Sequence, residues 1–391
     1  ARSDLAFERG EGMRLYDQNG REFLDFHSGI AVNALGHGDP HLVGALKAAA
    51  DKVWHTSNVF TIPEQERLGQ RLVDATFADR VFFTNSGAEA LECAIKTARH
   101  HFFSKGEPDR YEVIAFTGSF HGRTLGTIAA GGNPSYLEGF GPPMPGFKHT
   151  APGDLDAVRA LVGPQTCAIL IEPVQGEGGV TAMSTEFLQG LRQICDEHGL
   201  LLILDEVQCG FGRTGRFFAF EWAGITPDIV AVAKAIGGGF PLGACLATEE
   251  AAASMVPGTH GSTYGGNPLG CAMGNAVLDR IQGPGFMDHV AQMGQRLAWH
   301  LQQLAQRYPD YVLELRGKGL LAGIKIAPPV RDFVARLRDD HQLLAIGAGD
   351  NVLRLLPPLI VTEADIEDAM NRIAAAFDAI EAETATTASA S

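Results

Sequence analysis

Five short apolar runs punctuate the middle of the chain: Val81–Thr84, Val113–Phe116, Ala168–Ile171, Leu200–Leu204 and Ile229–Val232. Each is rich in β-favouring residues, ends in glycine or polar residues, and is separated from the next by helical spacing. Continuous apolar strands alternating with helices predict a mostly parallel sheet buried on both faces. Beyond about Leu269 the texture changes. Helical patterns at Leu269–Ile281, Phe286–Arg307, Arg331–His341 and Glu363–Ile380 flank strands at Tyr311–Arg316, Leu320–Ile326 and Asn351–Leu355. Met13–Phe26, with a turn at Asp17–Gly20, reads as a hairpin that joins them. The expected architecture is an α/β fold with a large sheet domain over 36–270. Residues 1–35 and 271–380 then form a smaller α+β domain, and the Ala-, Thr- and Ser-rich stretch 381–391 a disordered tail.

Ligands of open parallel sheets bind beyond the carboxyl ends of the strands. The residues following each run are therefore the candidates. Asn85-Ser86-Gly87-Ala88 opens a helix, where free N–H groups and a serine hydroxyl make an anion cup. A plain capped helix accounts for it equally. Phe120 could stack on a flat ring, or belong to the core. It is followed by His121 and by Arg123, which could grip a carboxylate in bidentate fashion or simply face water. Glu172 to Gly179 carries Glu172 and Glu177 among glycines, as a site loop or as a solvated turn.

Asp205 closes a wholly apolar strand, where a carboxylate is costly unless paired. It caps a helix, or it anchors a cation such as a protonated ring nitrogen, with Gln208 one turn further on. Glu206 is the alternative partner. Lys234 follows another apolar strand and precedes Gly237-Gly238-Gly239 with no nearby acid. Such surroundings lower a lysine pKa and free the amine as a nucleophile. His260 to Pro268, including Ser262 and Thr263, is a glycine- and hydroxyl-rich loop. Arg354 sits between apolar neighbours in a strand and either faces water or serves a site.

Composition narrows the classes. A length of 391 residues suggests two domains. The 45% apolar and 20% charged fractions are those of a globular protein. Thirty-one basic against 46 acidic residues gives −15, which speaks against nucleic acid and anionic membranes as partners. Six cysteines show no zinc spacing, so reduced structural thiols and no metal are expected. With neither a signal-peptide pattern nor a membrane span, the chain reads as cytoplasmic.

In combination, Asp205-Glu206-Val207-Gln208, Lys234-Ala235-Ile236-Gly237-Gly238-Gly239 and Thr263-Tyr264-Gly265-Gly266-Asn267-Pro268 resemble the class III aminotransferases of fold-type I, which use pyridoxal 5'-phosphate. The resemblance runs from Glu8 to Pro358. Gly29-Ile30-Ala31-Val32 and Phe120-His121-Gly122-Arg123-Thr124 look most like the acetylornithine branch. The resemblance implies a cofactor joined to Lys234 as a Schiff base. Asp205 keeps its ring nitrogen protonated, Gln208 lies near its 3-oxygen and Phe120 stacks on the ring. His121 belongs to the same shell, and Ser86, Gly87 and Ala88 hold the phosphate. Thr263 reaches the cofactor of a neighbouring copy, which implies a homodimer with shared sites. For substrates it implies Ser262 and Arg123 near N-acetylornithine, and Arg354 on the α-carboxylate of glutamate or 2-oxoglutarate. Glu177 pairs with Arg354 in alternation with that carboxylate.

Ile30 stands where ornithine aminotransferases carry a tyrosine. An apolar residue there suits a capped α-nitrogen, although GABA aminotransferases share the feature. Succinylornithine, succinyl-diaminopimelate, ornithine and GABA stay open as substrates. A mutase or decarboxylase on the same fold, and a non-catalytic α/β binding protein, are the competing classes. A nucleotide-binding dehydrogenase, the companion of that last class, lacks support from any Gly-x-Gly-x-x-Gly turn, and a non-catalytic relative should have lost Lys234 or Asp205.

Overall fold

The computed structural model describes residues 3–390, with side chains to residue 385. Its centre is a seven-stranded sheet. Across the sheet the strands run Arg80–Thr84, Gly243–Ala247, Ile229–Val232, Leu201–Asp205, Thr166–Ile171, Glu112–Phe116 and Phe147–Thr150. Pairing is parallel except at Gly243–Ala247, which runs antiparallel to both neighbours. The fold is the mostly parallel α/β sheet that the apolar runs predicted.

The apolar runs exist because both faces of the sheet are covered. Along Leu201–Asp205, Leu202 and Leu204 enter one core while Leu201 and Ile203 enter another. Ile169 and Ile171 alternate with Ala168 and Leu170 in the same way. A side-chain period of two leaves no face for polar residues. Gly87–Ser104 lays Leu91, Ala94, Ile95, Ala98 and Phe102 on one of these faces.

Two strands escaped the sequence pattern. Gly243–Ala247 is fully buried, but its side chains are too small to stand out as β-rich. Phe147–Thr150 lies at the sheet edge and carries Lys148 and His149.

Two smaller sheets complete the chain. One has Phe7–Glu11, Arg14–Asp17 and Glu22–Asp25, joined by Leu343–Leu344 from far along the sequence. The other orders Val312–Lys318, Leu321–Ile326, Val352–Leu355 and Ile346–Ala348. The last helix, Glu363–Ala390, runs on through most of the stretch where composition suggested a disordered tail. Alanine, a strong helix former, makes up much of that stretch. Among the described residues no helix is long and apolar enough to cross a membrane.

Candidate active site

The carboxyl ends of the parallel strands converge on a cavity of about 470 Å³. Its lining includes Ser86, Gly87, Ala88, Phe120, His121, Arg123, Asp205, Gln208 and Lys234. Nine candidates separated by up to 148 positions (234 − 86) thus meet in one place because each follows a strand of the same sheet.

Asp205 is buried and its carboxylate is fully oriented. Oδ2 lies 2.8 Å from Nδ1 of His121, and Oδ1 accepts a bond from the Val207 N–H at 3.0 Å. Burial disfavours charge on His121, but the Asp205 carboxylate outweighs it and raises the imidazole pKa. Nε2 of His121 is buried and makes no hydrogen bond among the described residues. His121 is thus placed as the partner of Asp205 as well as a lining residue.

Glu206 points elsewhere. Its carboxylate accepts from the N–H groups of Ala219 and Phe220, at 3.0 and 2.9 Å, and from the Cys209 thiol at 3.1 Å. It does not line the cavity, so of the two adjacent acids only Asp205 faces a ligand.

Lys234 follows Ile229–Val232 with a left-handed φ of 52°. Burial lowers its pKa, and the Arg354 guanidinium lowers it further. The lowered pKa favours the neutral amine, which is the form that acts as a nucleophile. Ser86 caps the helix Gly87–Ser104, its hydroxyl accepting from the Glu89 N–H at 3.3 Å. A Cβ on Gly87 would come within 2.8 Å of Val207, so only glycine lets the helix start lie this close to the Asp205 segment.

Arg123 is exposed at the rim, with its guanidinium 3.8 Å above the ring of Tyr136. Arg354 is fully buried outside the cavity lining. Its Nη1 bonds Gln208 at 3.0 Å and Glu177 at 2.7 Å. Nε and Nη2 of Arg354 find no partner among the described residues. Ile30 packs against a small apolar cluster that includes Val174, Val180 and Leu356, and it also lies outside the lining. Ser262 is 3.4 Å from Asn85, while Thr263 is exposed and away from this chain's own cavity.

Asn85, Val207 and Glu172 also line the cavity, although the sequence assigned none of them a specific role. Asn85 and Val207 sit beside Ser86 and Asp205 but carry no chemistry that marks them. Glu172 stood at a strand end, where a solvated turn was the competing reading. It is buried, and burial together with the Asp205 charge pushes its pKa up to about 7. Its Oε1 accepts from the Phe120 N–H at 2.8 Å, which fixes the segment carrying Phe120 and His121. Among the described residues one group, His300, Glu363 and Glu367, brings three potential metal ligands together, remote from this cavity.

The arrangement fits pyridoxal phosphate. A helix start open to a phosphate lies at one end. An oriented carboxylate for a ring nitrogen, Asp205, and an amine of lowered pKa for an aldehyde, Lys234, line the same cavity.

Known proteins share this framework. "Acetylornithine aminotransferase" of Mesorhizobium japonicum is 60% identical over 96% of this chain and 94% of its own length. The protein of the same name from Agrobacterium fabrum is 56% identical, over 98% and 96% respectively. The ornithine aminotransferase of Toxoplasma gondii superposes with a TM-score of 0.94 at 31% identity, over 98% of this chain and 92% of that one. N-acetylornithine aminotransferase of Stenotrophomonas maltophilia does so at 0.85 and 36% identity, over 98% of each. Residues 1–377 match the family Aminotransferase class-III, and the chain belongs to that pyridoxal-phosphate-dependent family.

Proposed function

We propose that the enzyme moves the δ-amino group of N2-acetyl-L-ornithine to 2-oxoglutarate, giving N-acetyl-L-glutamate 5-semialdehyde and L-glutamate. The observation that carries this reading is the pairing of buried Arg354 with Glu177 at 2.7 Å beside Gln208. A transaminase must accept two substrates in turn. The δ-amino donor presents no carboxylate to Arg354, so Glu177 neutralises that charge. 2-Oxoglutarate brings its own carboxylate and displaces Glu177. An unpaired buried guanidinium would be costly in either half of the cycle. The curated relatives named acetylornithine aminotransferase support the donor, and apolar Ile30 suits an acylated α-nitrogen.

Bound pyridoxal phosphate supplies the electron sink. The protein's residues supply position and proton control. Ser86, Gly87 and Ala88 hold the phosphate at the helix start. Asp205, oriented by His121, holds the proton of the ring nitrogen, Gln208 serves the 3-oxygen, and Phe120 packs on the ring. Lys234, with its lowered pKa, takes the proton from the substrate carbon and returns it as general base and acid. Arg123 receives the carboxylate of the donor, with Ser262 beside it.

Residues 36–270 form the cofactor domain on this reading, and 1–35 with 271–380 the domain that carries Ile30 and Arg354. Trp54, Val59, Phe60 and Tyr264 are each more than half exposed, and Thr263 directly precedes Tyr264. A second copy covers this apolar face in a cytoplasmic homodimer and receives Thr263 at its own site.

The test is kcat/KM on acetylornithine, succinylornithine, ornithine and GABA with 2-oxoglutarate, following glutamate. An acylated ornithine should lead. Ornithine overtaking acetylornithine, or turnover without glutamate, would overturn the proposal.

A further inference from the structure

Glu177 stands in the loop of a small hairpin, Val174–Gln175 paired with Thr181–Ala182. The backbone of that loop is tied down from outside the cavity. Its Glu177 carbonyl accepts the Gly349 N–H at 2.9 Å. Its Gly179 carbonyl accepts Nη1 of Arg316 at 3.2 Å. Arg316 is itself fixed by Asp350 at 2.5 Å and Glu314 at 2.6 Å, and Lys325 bonds Asp350 at 2.9 Å. Residues 349–351 form the turn leading into Val352–Leu355, the strand that carries Arg354. One cluster of charges therefore fastens both partners of the Glu177–Arg354 pair.

Packing leaves the loop little room. A Cβ on Gly179 would meet the Gly349 carbonyl at 2.9 Å and Arg316 at 3.0 Å. On the opposite side, a Cβ on Gly178 would meet the Gly118 carbonyl at 2.4 Å. Val180, β-branched, is held at φ 55°, and Asp350 and Asn351 at 57° and 56°. Strained residues of this kind persist only where surrounding contacts over-determine them.

We infer that Arg316, with Asp350, is a positioning residue that holds Glu177 onto Arg354 and so sets the balance between the monoamine donor and the dicarboxylate acceptor. The inference rests on the proposed alternation of Glu177 with substrate at Arg354. Arg316 does not line the cofactor cavity, and its effect passes through the loop backbone. With the clasp intact, Glu177 neutralises Arg354 at little cost, which favours the donor. With the clasp loosened, Glu177 leaves more readily, which favours 2-oxoglutarate.

The experiment measures KM for each substrate in the holoenzyme of Arg316→Ala and of Arg316→Lys, which keeps a charge but lacks the fork. The donor KM should rise about threefold to tenfold and the 2-oxoglutarate KM should fall by a similar factor, with a smaller effect of the same signs in the lysine variant. In Arg316→Ala/Glu177→Gln the Arg316 effect should vanish, because the group it positions no longer carries the charge. General loosening would move both constants the same way. That result, or unchanged constants in a folded variant, or full additivity with Glu177→Gln, overturns the clasp. Arg354→Lys separates the two levels of the argument. If it leaves the 2-oxoglutarate KM unchanged, the proposed carboxylate site itself fails. If it raises that KM while Arg316 variants do nothing, only the clasp fails.

Discussion

Asp205 and Lys234 stand at the ends of strands buried along their whole length, whereas Ile30 and Glu177 ride on short segments with strained backbones. Ser28, Gly29, Ile30 and Ala31 take φ values of 50°, 62°, 61° and 63° in succession. A single left-handed residue such as Lys234 is already uncommon, and four in a row need a dedicated support. Asp25 provides it. Its Oδ1 accepts from the N–H groups of His27 and Ser28, both at 2.8 Å, and its Oδ2 meets His37 at 2.7 Å. Burial pushes the Asp25 pKa up, but these bonds prevail and hold it below the usual carboxylate value. The contrast fits a division of labour. On the proposed function, proton transfer, which tolerates little displacement, is built on the rigid sheet. Substrate choice then rests on short segments outside that sheet.

The largest expected effect tests the rigid side. Lys234→Ala should lower kcat by at least about a thousandfold with every donor, because the nucleophile and the proton carrier are the same atom. Borohydride treatment of the unmutated holoenzyme followed by peptide mapping should mark Lys234. A mark on another lysine would remove the foundation of the comparison. A smaller effect should follow on the strained side. Ile30→Tyr should raise kcat/KM for ornithine relative to acetylornithine by about tenfold and leave the spectrum of the bound cofactor unchanged. A uniform loss on both substrates would mean that Ile30 only fills space.

The rigid side was also the legible side. Ser86, Asp205 and Lys234 could be placed from sequence because apolar strands announce themselves and their ends share one edge of a sheet. What they do there was less legible. His121 faces Asp205 across 84 positions, a contact that depends on which strands are neighbours. Glu172 differs from a surface acid only in being buried, which depends on tertiary packing. Arg354 looked like one more strand arginine. Its site reading came from resemblance, and only the Glu177 contact gives it a physical basis. The left-handed turn at Ser28–Ala31 had no signal beyond Gly29, since Ile30 and Ala31 argue against positive φ. Residue preferences fail where specific contacts override them, here the Asp25 carboxylate on the N–H groups of His27 and Ser28 and the Ser28 hydroxyl on the distant Leu356 carbonyl.

The smallest effect concerns stability and sharpens the difference between adjacent acids. Asp205 serves the cavity, but Glu206 serves the fold by holding Ala219 and Phe220. Burial raises the Glu206 pKa to about 7, more than its hydrogen bonds lower it. The folded state therefore binds a proton that the unfolded state releases at lower pH. Stability from this group is complete below the unfolded carboxylate value and is lost as pH rises through about 7. One proton limits the slope to about 1.4 kcal/mol per pH unit. Glu172 contributes in the same direction. Glu206→Gln should lower Tm somewhat at every pH, because its amide donates where a carboxylate oxygen accepted. The informative quantity is the slope. The fall in Tm between about pH 5 and about pH 7 should become shallower, with Glu172 supplying what remains. An unchanged slope would mean that Glu206 is already ionised in the folded protein, and that the sheet tolerates two neighbouring buried carboxylates through hydrogen bonds alone.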